Sequence, residues 1–431
     1  MSGHEKRPLV PRLRFPEFRD AGEWITVELG KLSRLLTERV GSTTCTPYTI
    51  ISGVGLISQE EKLGRTIAGN SLKNYLVLQY NDFAYNKSAT KAYPQGFIAL
   101  YTGDERAAVP NSIFTCFRVN QNQAIPTFLD ALFTSNLHGK WLRARIAVGA
   151  RAHGSLQVSD DDLMATPVPL PNGTNSLEEQ QKIADCLSSL DNLIAAEIQK
   201  LETLKTHKKG LMQQLFPREG ETVPRLRFPE FQNAGEWEEV ALGEIAEIKL
   251  GKMLDSKKHT TGNLLPYLNN LSVRWNDVDT SNLPKMYFDN DELDRFGLRA
   301  GDVVVCEGGE PGRSAVWDGR LPNLKFQKAI HRVRFNVPFE PHLLVFYLQS
   351  IADTPRFEML FTGGGIKHLT GETFSRLKIP MASHAEQQHI ANYLCSLEEL
   401  ITAQTQKIDA LKTHKKGLMQ QLFPTLDEVG A

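Results

Sequence analysis

The most regular hydrophobic pattern along the chain occupies two long stretches with apolar positions every three or four residues. Written as heptads, the first places Gln180, Leu187, Ile194, Leu201, Lys208 and Leu215 at a, and Ile183, Leu190, Glu197, Leu204 and Leu211 at d. The second places Gln387, Leu394, Ile401, Ile408, Lys415 and Leu422 at a, and Ile390, Leu397, Gln404, Leu411 and Leu418 at d. A seam of period 3.5 predicts helices that pair and supercoil. Proline is absent until the terminal Phe-Pro, so each stretch reads as one helix of about 39 residues, roughly 58 Å long. The predicted seam is Ile183, Leu187, Leu190, Ile194, Leu201 and Leu204 in the first helix. In the second it is Ile390, Leu394, Leu397, Ile401, Ile408 and Leu411. Polar residues fall in the same layers of both copies, Glu197 and Gln404 at d, Lys208 and Lys415 at a. Such layers cost stability but fix register and partner.

The remaining pattern is short and mixed. Residues 114–120 and 330–336 alternate as strands do, and 126–144 and 341–361 read as helices. Ser159 with Asp162, and Thr370 with Thr373, occupy helix N-cap positions. The whole arrangement occurs twice. LKTHKKGLMQQLFP at 204–217 returns unchanged at 411–424, and PRLRFPEF at 11–18 returns at 224–231. The expected organisation is an entry segment 1–23, a globular region 24–171, a long helix 172–217, a second entry 218–236, a second globular region 237–381, a second long helix 382–424 and a tail 425–431. With two copies this is a duplication, not a solenoid array. The mixture of short strands and helices makes each globular region α+β. The lysines and histidines of the repeated LKTHKKGLMQQLFP are expected near the opposite globular region or a partner subunit, since a buried unpaired lysine is costly.

Composition narrows the possibilities. The formal net charge is −1, so no global field draws this chain to a polyanion, and nucleic-acid binding would need local basic patches. The five cysteines are scattered, without a CxxC pair, as in a reducing compartment. The opening MSGHEKRPLVPRLRF lacks the apolar core of a secretory signal, and no run of about 18 apolar residues suggests a membrane span. A cytoplasmic protein without membrane association is expected.

A search for catalytic motifs fails. Gly308-Gly-Glu-Pro-Gly-Arg-Ser314 departs from a phosphate loop, with Glu307 where its first glycine belongs, and reads as a turn. Asp302 reads as a turn residue before a buried strand rather than as half of a nuclease pair with Glu307. The histidines lack metal-ligand spacing, and no metal or catalytic residue is assigned. Two basic stretches stand out: KWLRARIAVGARAHG, with Lys140, Arg143, Arg145 and Arg151, and LKFQKAIHRVRFN, with Lys325, Lys328, His331, Arg332 and Arg334. Arg and Lys neutralise phosphates, and Arg, Asn and Gln can read base edges.

Taken in order, these features resemble the specificity (S) subunits of type I restriction-modification systems. The likeness rests on Trp24 with Leu29-Gly30, Trp237 with Leu242-Gly243, the closing Val168-Pro169 and Ile379-Pro380, and Glu179-Gln-Gln181 and Glu386-Gln-Gln388 at the helix starts. It rests also on the shared Lys-Lys-Gly-Leu-Met-Gln-Gln-Leu-Phe-Pro ends. The resemblance implies two target recognition domains separated by two long antiparallel coiled-coil helices with pseudo-twofold symmetry. It implies recognition of a split, asymmetric site in double-stranded DNA, one half-site per domain, with the helix pair setting the spacer. The implied partners are two methyltransferase (M) subunits using S-adenosylmethionine and restriction (R) subunits using ATP and Mg2+. This chain itself is expected to bind no cofactor. The family has no fixed base-reading motif, so loop and strand residues are the candidates. In the first region these are Asn86, Lys87, Asn111, Ser112, Arg143, Arg145, Arg151 and His153. In the second they are Asn269, Asn270, Arg313, Gln327, Lys328, Arg332, Lys367 and His368. A structural coiled-coil adaptor without DNA specificity, and an enzyme with an unrecognised site, are the rival classes.

Overall fold

The structure, a computed structural model, describes residues 9–146, 156–254, 262–362 and 367–424. Helix and strand are mixed throughout, and the chain forms two compact units, Met1–Ala196 with Ile408–Ala431, and Glu197–Lys407. Each unit therefore combines one globular region, the first turns of the long helix that follows it, and the far end of the other long helix. The long helices are Ser176–Leu215 and His384–Leu422.

In the first unit the opening strand Ile25–Glu28 pairs antiparallel with the closing strand Pro167–Leu170, with Val27 opposite Val168. The short helix Leu29–Leu32 follows. Gly30 lies against Met164, where an added Cβ would stand 3.3 Å from the Met164 Cβ and carbonyl oxygen, which accounts for the Leu-Gly phrase. The central antiparallel sheet runs Ser33–Leu35, Phe114–Val119, Asp82–Asn86, Phe97–Leu100. Its two faces feed different cores. Phe83, Tyr85 and Phe117 point into one with Trp24, Phe128 and Phe133. Ala84, Phe114 and Cys116 point into another with Leu78 and Val109 from a second four-stranded sheet.

The second unit repeats this plan. Glu238–Ala241 pairs with Lys378–Met381, and Gly243 lies against Ser375. Its central sheet runs Ala246–Leu250, Ile330–Phe335, Val303–Cys306, Ser314–Val316. Val303, Val305 and Val333 face one core, and Val304, Cys306 and Ile330 face the other. Asp82 pairs bidentately with Arg118 at 2.6 and 2.8 Å, and Asp302 with Arg334 at 2.7 Å twice. Both aspartates also accept from a backbone N–H three residues earlier, Gln79 and Arg299, and so brace the turn before the strand.

Two helices expected from the pattern are each broken. Residues 126–144 divide into Pro126–Thr134 and Leu137–Leu142 at Asn136, whose φ of 64° is left-handed. Residues 341–361 divide into Pro341–Ile351 and Pro355–Glu358, because Pro355 disfavours helical backbone at the residue before it. The expected caps form: Ser159 accepts from Asp162 N–H at 3.0 Å, and Thr370 from Thr373 N–H at 3.3 Å.

The repeated phrases turn out to be one fastening used twice. Arg14 of the entry segment donates from Nε and Nη2 to Glu179 at 2.7 Å each, and Arg227 does the same to Glu386. The neighbouring Gln180 and Gln387 are buried. Gln180 accepts from Ile125 N–H at 2.9 Å, and Gln387 from Glu340 N–H at 3.0 Å, at the head of a globular helix in each case. At the other end, Met212, Leu215 and Phe216 enter the second unit's core, while Met419, Leu422 and Phe423 enter the first's. Burying three such side chains is worth roughly 4–9 kcal/mol before ordering entropy. The Leu13 amide donates to Gln421 O at 2.9 Å, and Leu226 N–H to Gln214 O at 2.9 Å, tying entry segments to helix ends.

Along the helices, Ile183, Leu187, Ile194, Leu201, Ile390, Leu394, Leu397 and Ile408 are buried, and Leu190, Leu204, Ile401 and Leu411 are half-buried. Ile183 and Leu187, and likewise Ile390, Leu394 and Leu397, belong to the globular cores, so the first turns serve those cores too. Within the second unit Gln404 Nε2 donates to Glu197 at 2.6 Å, and Lys208 reaches Glu398 and, at 2.9 Å, Gln349. Within the first, Lys415 reaches Asp191 at 2.5 Å. No helix among the described residues is long and apolar enough to cross a membrane.

Candidate nucleic-acid interface

In both units the chemistry-bearing loops gather where the central strand ends. The first unit's strand Asp82–Asn86 delivers Asn86 and Lys87. Lys87 N–H donates to Ile113 O at 2.9 Å, which places the exposed turn of Asn111 and Ser112 alongside. Asn86 is buried and its Oδ1 accepts from Ser88 N–H at 2.9 Å, so it braces the turn. The Lys87 ammonium lies 3.3 Å from Asp160, whose carboxylate also accepts from Thr115 at 2.7 Å. Arg143 and Arg145 are exposed just beyond the helix Leu137–Leu142. The Arg145 guanidinium stacks 3.1 Å above the Trp141 ring, and Trp141 Nε1 donates to Asp162 O at 3.1 Å. Arg145 and Lys87 are thereby tied to the same short helix, Asp160–Met164. Arg151 and His153 lie outside the described residues.

The second unit assembles five loop segments. Glu307 N–H donates to Ala329 O at 2.8 Å, and Leu369 N–H donates to Glu307 O at 2.8 Å. Gln327 N–H donates to Leu268 O at 2.9 Å, and Lys328 N–H to Lys252 O at 2.8 Å. Arg313 donates from Nη2 to Asn270 O at 2.6 Å and pairs with Glu310. Asn270, Arg313, Gln327, Lys328, Lys367 and His368 thus come together. Glycine permits the approach: a Cβ on Gly309, φ 84°, would fall 2.7 Å from Asn270 Nδ2, and one on Gly308 3.3 Å from His368 Nδ1. Asn269 is spent on its own turn, accepting from Leu271 and Ser272 N–H at 3.0 and 3.2 Å. Lys367 pairs with Glu358, and Lys328 is exposed. The glycine-rich stretch 307–313 is the turn between paired strands Val303–Cys306 and Ser314–Val316.

Arg332 must be corrected. It is 2% exposed, donates to Glu247 at 2.8 Å and Gly297 O at 3.0 Å, and lies over the Phe326 ring. Its strand is covered on both faces, so a charge there has to find internal partners. Lys325 and His331 likewise bond inward, to Leu293 O at 2.8 Å and Leu369 O at 2.7 Å, and burial lowers the pKa of each. The second basic stretch is therefore mostly core, and the loop cluster takes from it the turn of Gln327, Lys328 and Ala329.

The model of the type I restriction modification DNA specificity domain matches residues 64–206 and 234–413. A Methanocaldococcus jannaschii protein provisionally named as the specificity subunit of type I restriction enzyme MjaX is 26% identical over 339 residues. The match covers 76% of this chain and 74% of that one. The MjaVIII specificity subunit of the same organism is 26% identical over 59% of this chain and 61% of its own. A solved chain from work on complex assembly and conformational transition of the type I R-M system superposes with a TM-score of 0.57 at 20% identity, covering 93% of this chain and 97% of that one. The S subunit of a type I system from M. genitalium gives 0.54 at 14% identity, covering 97% and 100%. These structures share the fold. With a family match over most of the first globular region, the whole of the second and most of both helices, the chain belongs to the type I restriction-modification DNA specificity subunits.

Proposed function

We propose that this chain is the DNA-reading subunit of a type I restriction-modification complex, and that each unit reads one half of a bipartite, asymmetric site. The observation that carries the reading is the pair of loop clusters at the ends of the central strands. Their backbone connections are alike and their side chains differ, which suits two readers of different sequences on one duplicated frame. The two long helices act as an antiparallel coiled-coil pair with approximate twofold symmetry. Gln404 is the repeat counterpart of Glu197 and is bonded to it, as expected of residues beside such an axis. Lys208–Glu398 and Lys415–Asp191 are likewise counterparts. The pair sets the spacer, with half-sites about one helical turn, ~34–36 Å, apart.

Catalysis belongs to the partners: two M subunits methylating adenine with S-adenosylmethionine, and R subunits using ATP and Mg2+, in the cytoplasm. The target adenine is flipped out for methylation, since its amino group is inaccessible within the stack. A coiled-coil adaptor would lack the steep loss of DNA affinity with salt that phosphate contacts impose. The test is exchange of residues 24–171 for another recognition domain, followed by mapping of methylated sites in cells supplying the M subunit. One half-site changes and the other stays; alteration of both, or of neither, would reject the assignment of one half-site per unit.

A further inference from the structure

The central strands of the two units end on equivalent backbone but opposite charge. Lys87 follows Asp82–Asn86, and Glu307 follows Val303–Cys306. Lys87 N–H donates to Ile113 O at 2.9 Å and its carbonyl accepts from Leu156 N–H at 2.6 Å. Glu307 N–H donates to Ala329 O at 2.8 Å and its carbonyl accepts from Leu369 N–H at 2.8 Å. Ile113 and Ala329 each immediately precede the strand that pairs with the central one. The two residues therefore hold the same place in the fold.

Their side chains fare differently. Lys87 rests against Asp160. Glu307 is half-buried, and among the described residues its carboxylate takes no hydrogen bond or ion pair. It adjoins Gly308, which adds no side chain to screen it, and lies within electrostatic reach of the buried His331 ring. A carboxylate here is repelled by phosphates and gains nothing from the duplex backbone. It gains where an exocyclic amino group of a base reaches it, and the acceptor-only carboxylate matches the cytosine N4 donor in the major groove.

Resting on the functional reading above, we propose that Glu307 is a specificity-determining residue of the second unit, accepting a hydrogen bond from cytosine N4 at one G·C position of its half-site. Lys328, exposed beside it, supplies a cation for the adjoining phosphate. The equivalent place in the first unit carries a donor, Lys87, so the two half-sites differ in what they require there.

The full chain and its E307Q and E307A variants are expressed with the M subunits in cells lacking other adenine methylation, and the methylated sites are sequenced. Preference at one G·C position of one half-site falls about tenfold or more in both variants, the worth of one base-edge contact, and the other half-site is unchanged. E307Q is nearly isosteric and keeps the test open if E307A accumulates poorly. An unchanged motif in E307Q, relaxation of an A·T position instead, or changes spread over both half-sites would overturn the proposal. Absence of any bipartite motif with the wild-type chain would instead sink the functional reading itself.

Discussion

Glu386→Ala tests the fastening between entry segment and long helix. Glu386 and Arg227 form a bidentate pair, with both bonds at 2.7 Å and side chains 1% and 8% exposed. Among the described residues, removing the carboxylate leaves Arg227 with only its Nη1 bond to Ala234 O at 2.8 Å. Breaking a buried pair from one side costs about 3–5 kcal/mol, a large share of the 5–15 kcal/mol that holds a domain together. Urea unfolding read by hydrogen exchange resolves the two units. E386A lowers the unfolding free energy of residues 197–407 by that amount and leaves that of 9–146 nearly unchanged. The double variant R227A/E386A is less destabilised than the sum of the singles by about 2 kcal/mol, since the stranded charge has gone too. A loss under about 1 kcal/mol for E386A, or strict additivity in the cycle, would mean that the pair behaves as a surface ion pair and does not fasten the helix.

The two identical lysines should differ in worth. Lys208→Ala costs about 2–4 kcal/mol, because Lys208 is buried with Glu398 and Gln349. Lys415→Ala costs under about 1 kcal/mol, because its partner Asp191 is exposed; parallel urea titrations compare them. His138 is buried, and desolvation pushes its pKa down to about 4 from 6.5. The neutral ring is favoured by folding, so its contribution is complete above pH 6.5 and declines as pH falls towards 4, by up to about 3 kcal/mol. H138F, set among Tyr85 and Phe133, flattens that part of the melting-temperature profile. Inserting one heptad into each long helix adds about 10 Å, and methylation mapping should show the spacer lengthened by about three base pairs with the bases unaltered.

Much of this was open to reading in the sequence. The long helices declare themselves by period and by the absence of proline, and the duplication by literal repetition. The caps at Ser159 and Thr370 follow from local chemistry. The fastening did not show, because Arg14 and Glu179 are 165 residues apart and the helical period says nothing about which carboxylate meets which guanidinium. The basic stretch 325–334 misled for a related reason. Alternation identifies a strand, but a strand covered on both faces must pair its charges internally, as Arg332 does with Glu247 and Arg334 with Asp302. The loop candidates fared differently: Asn270, Arg313, Gln327, Lys328, Lys367 and His368 come from four separate stretches and meet in one place. In the sequence Glu307 figures only as a misfit in a phosphate loop and as half of a nuclease pair, because an acid is discounted when a DNA surface is sought by positive charge.

The central claim is that this chain dictates which DNA sequence is modified. Sequencing methylated adenines in cells that carry the M subunit, with and without this chain, tests it directly. The account predicts an interrupted motif of two short defined halves that appears only with the chain. An identical pattern in both cells, or one continuous motif, would contradict it.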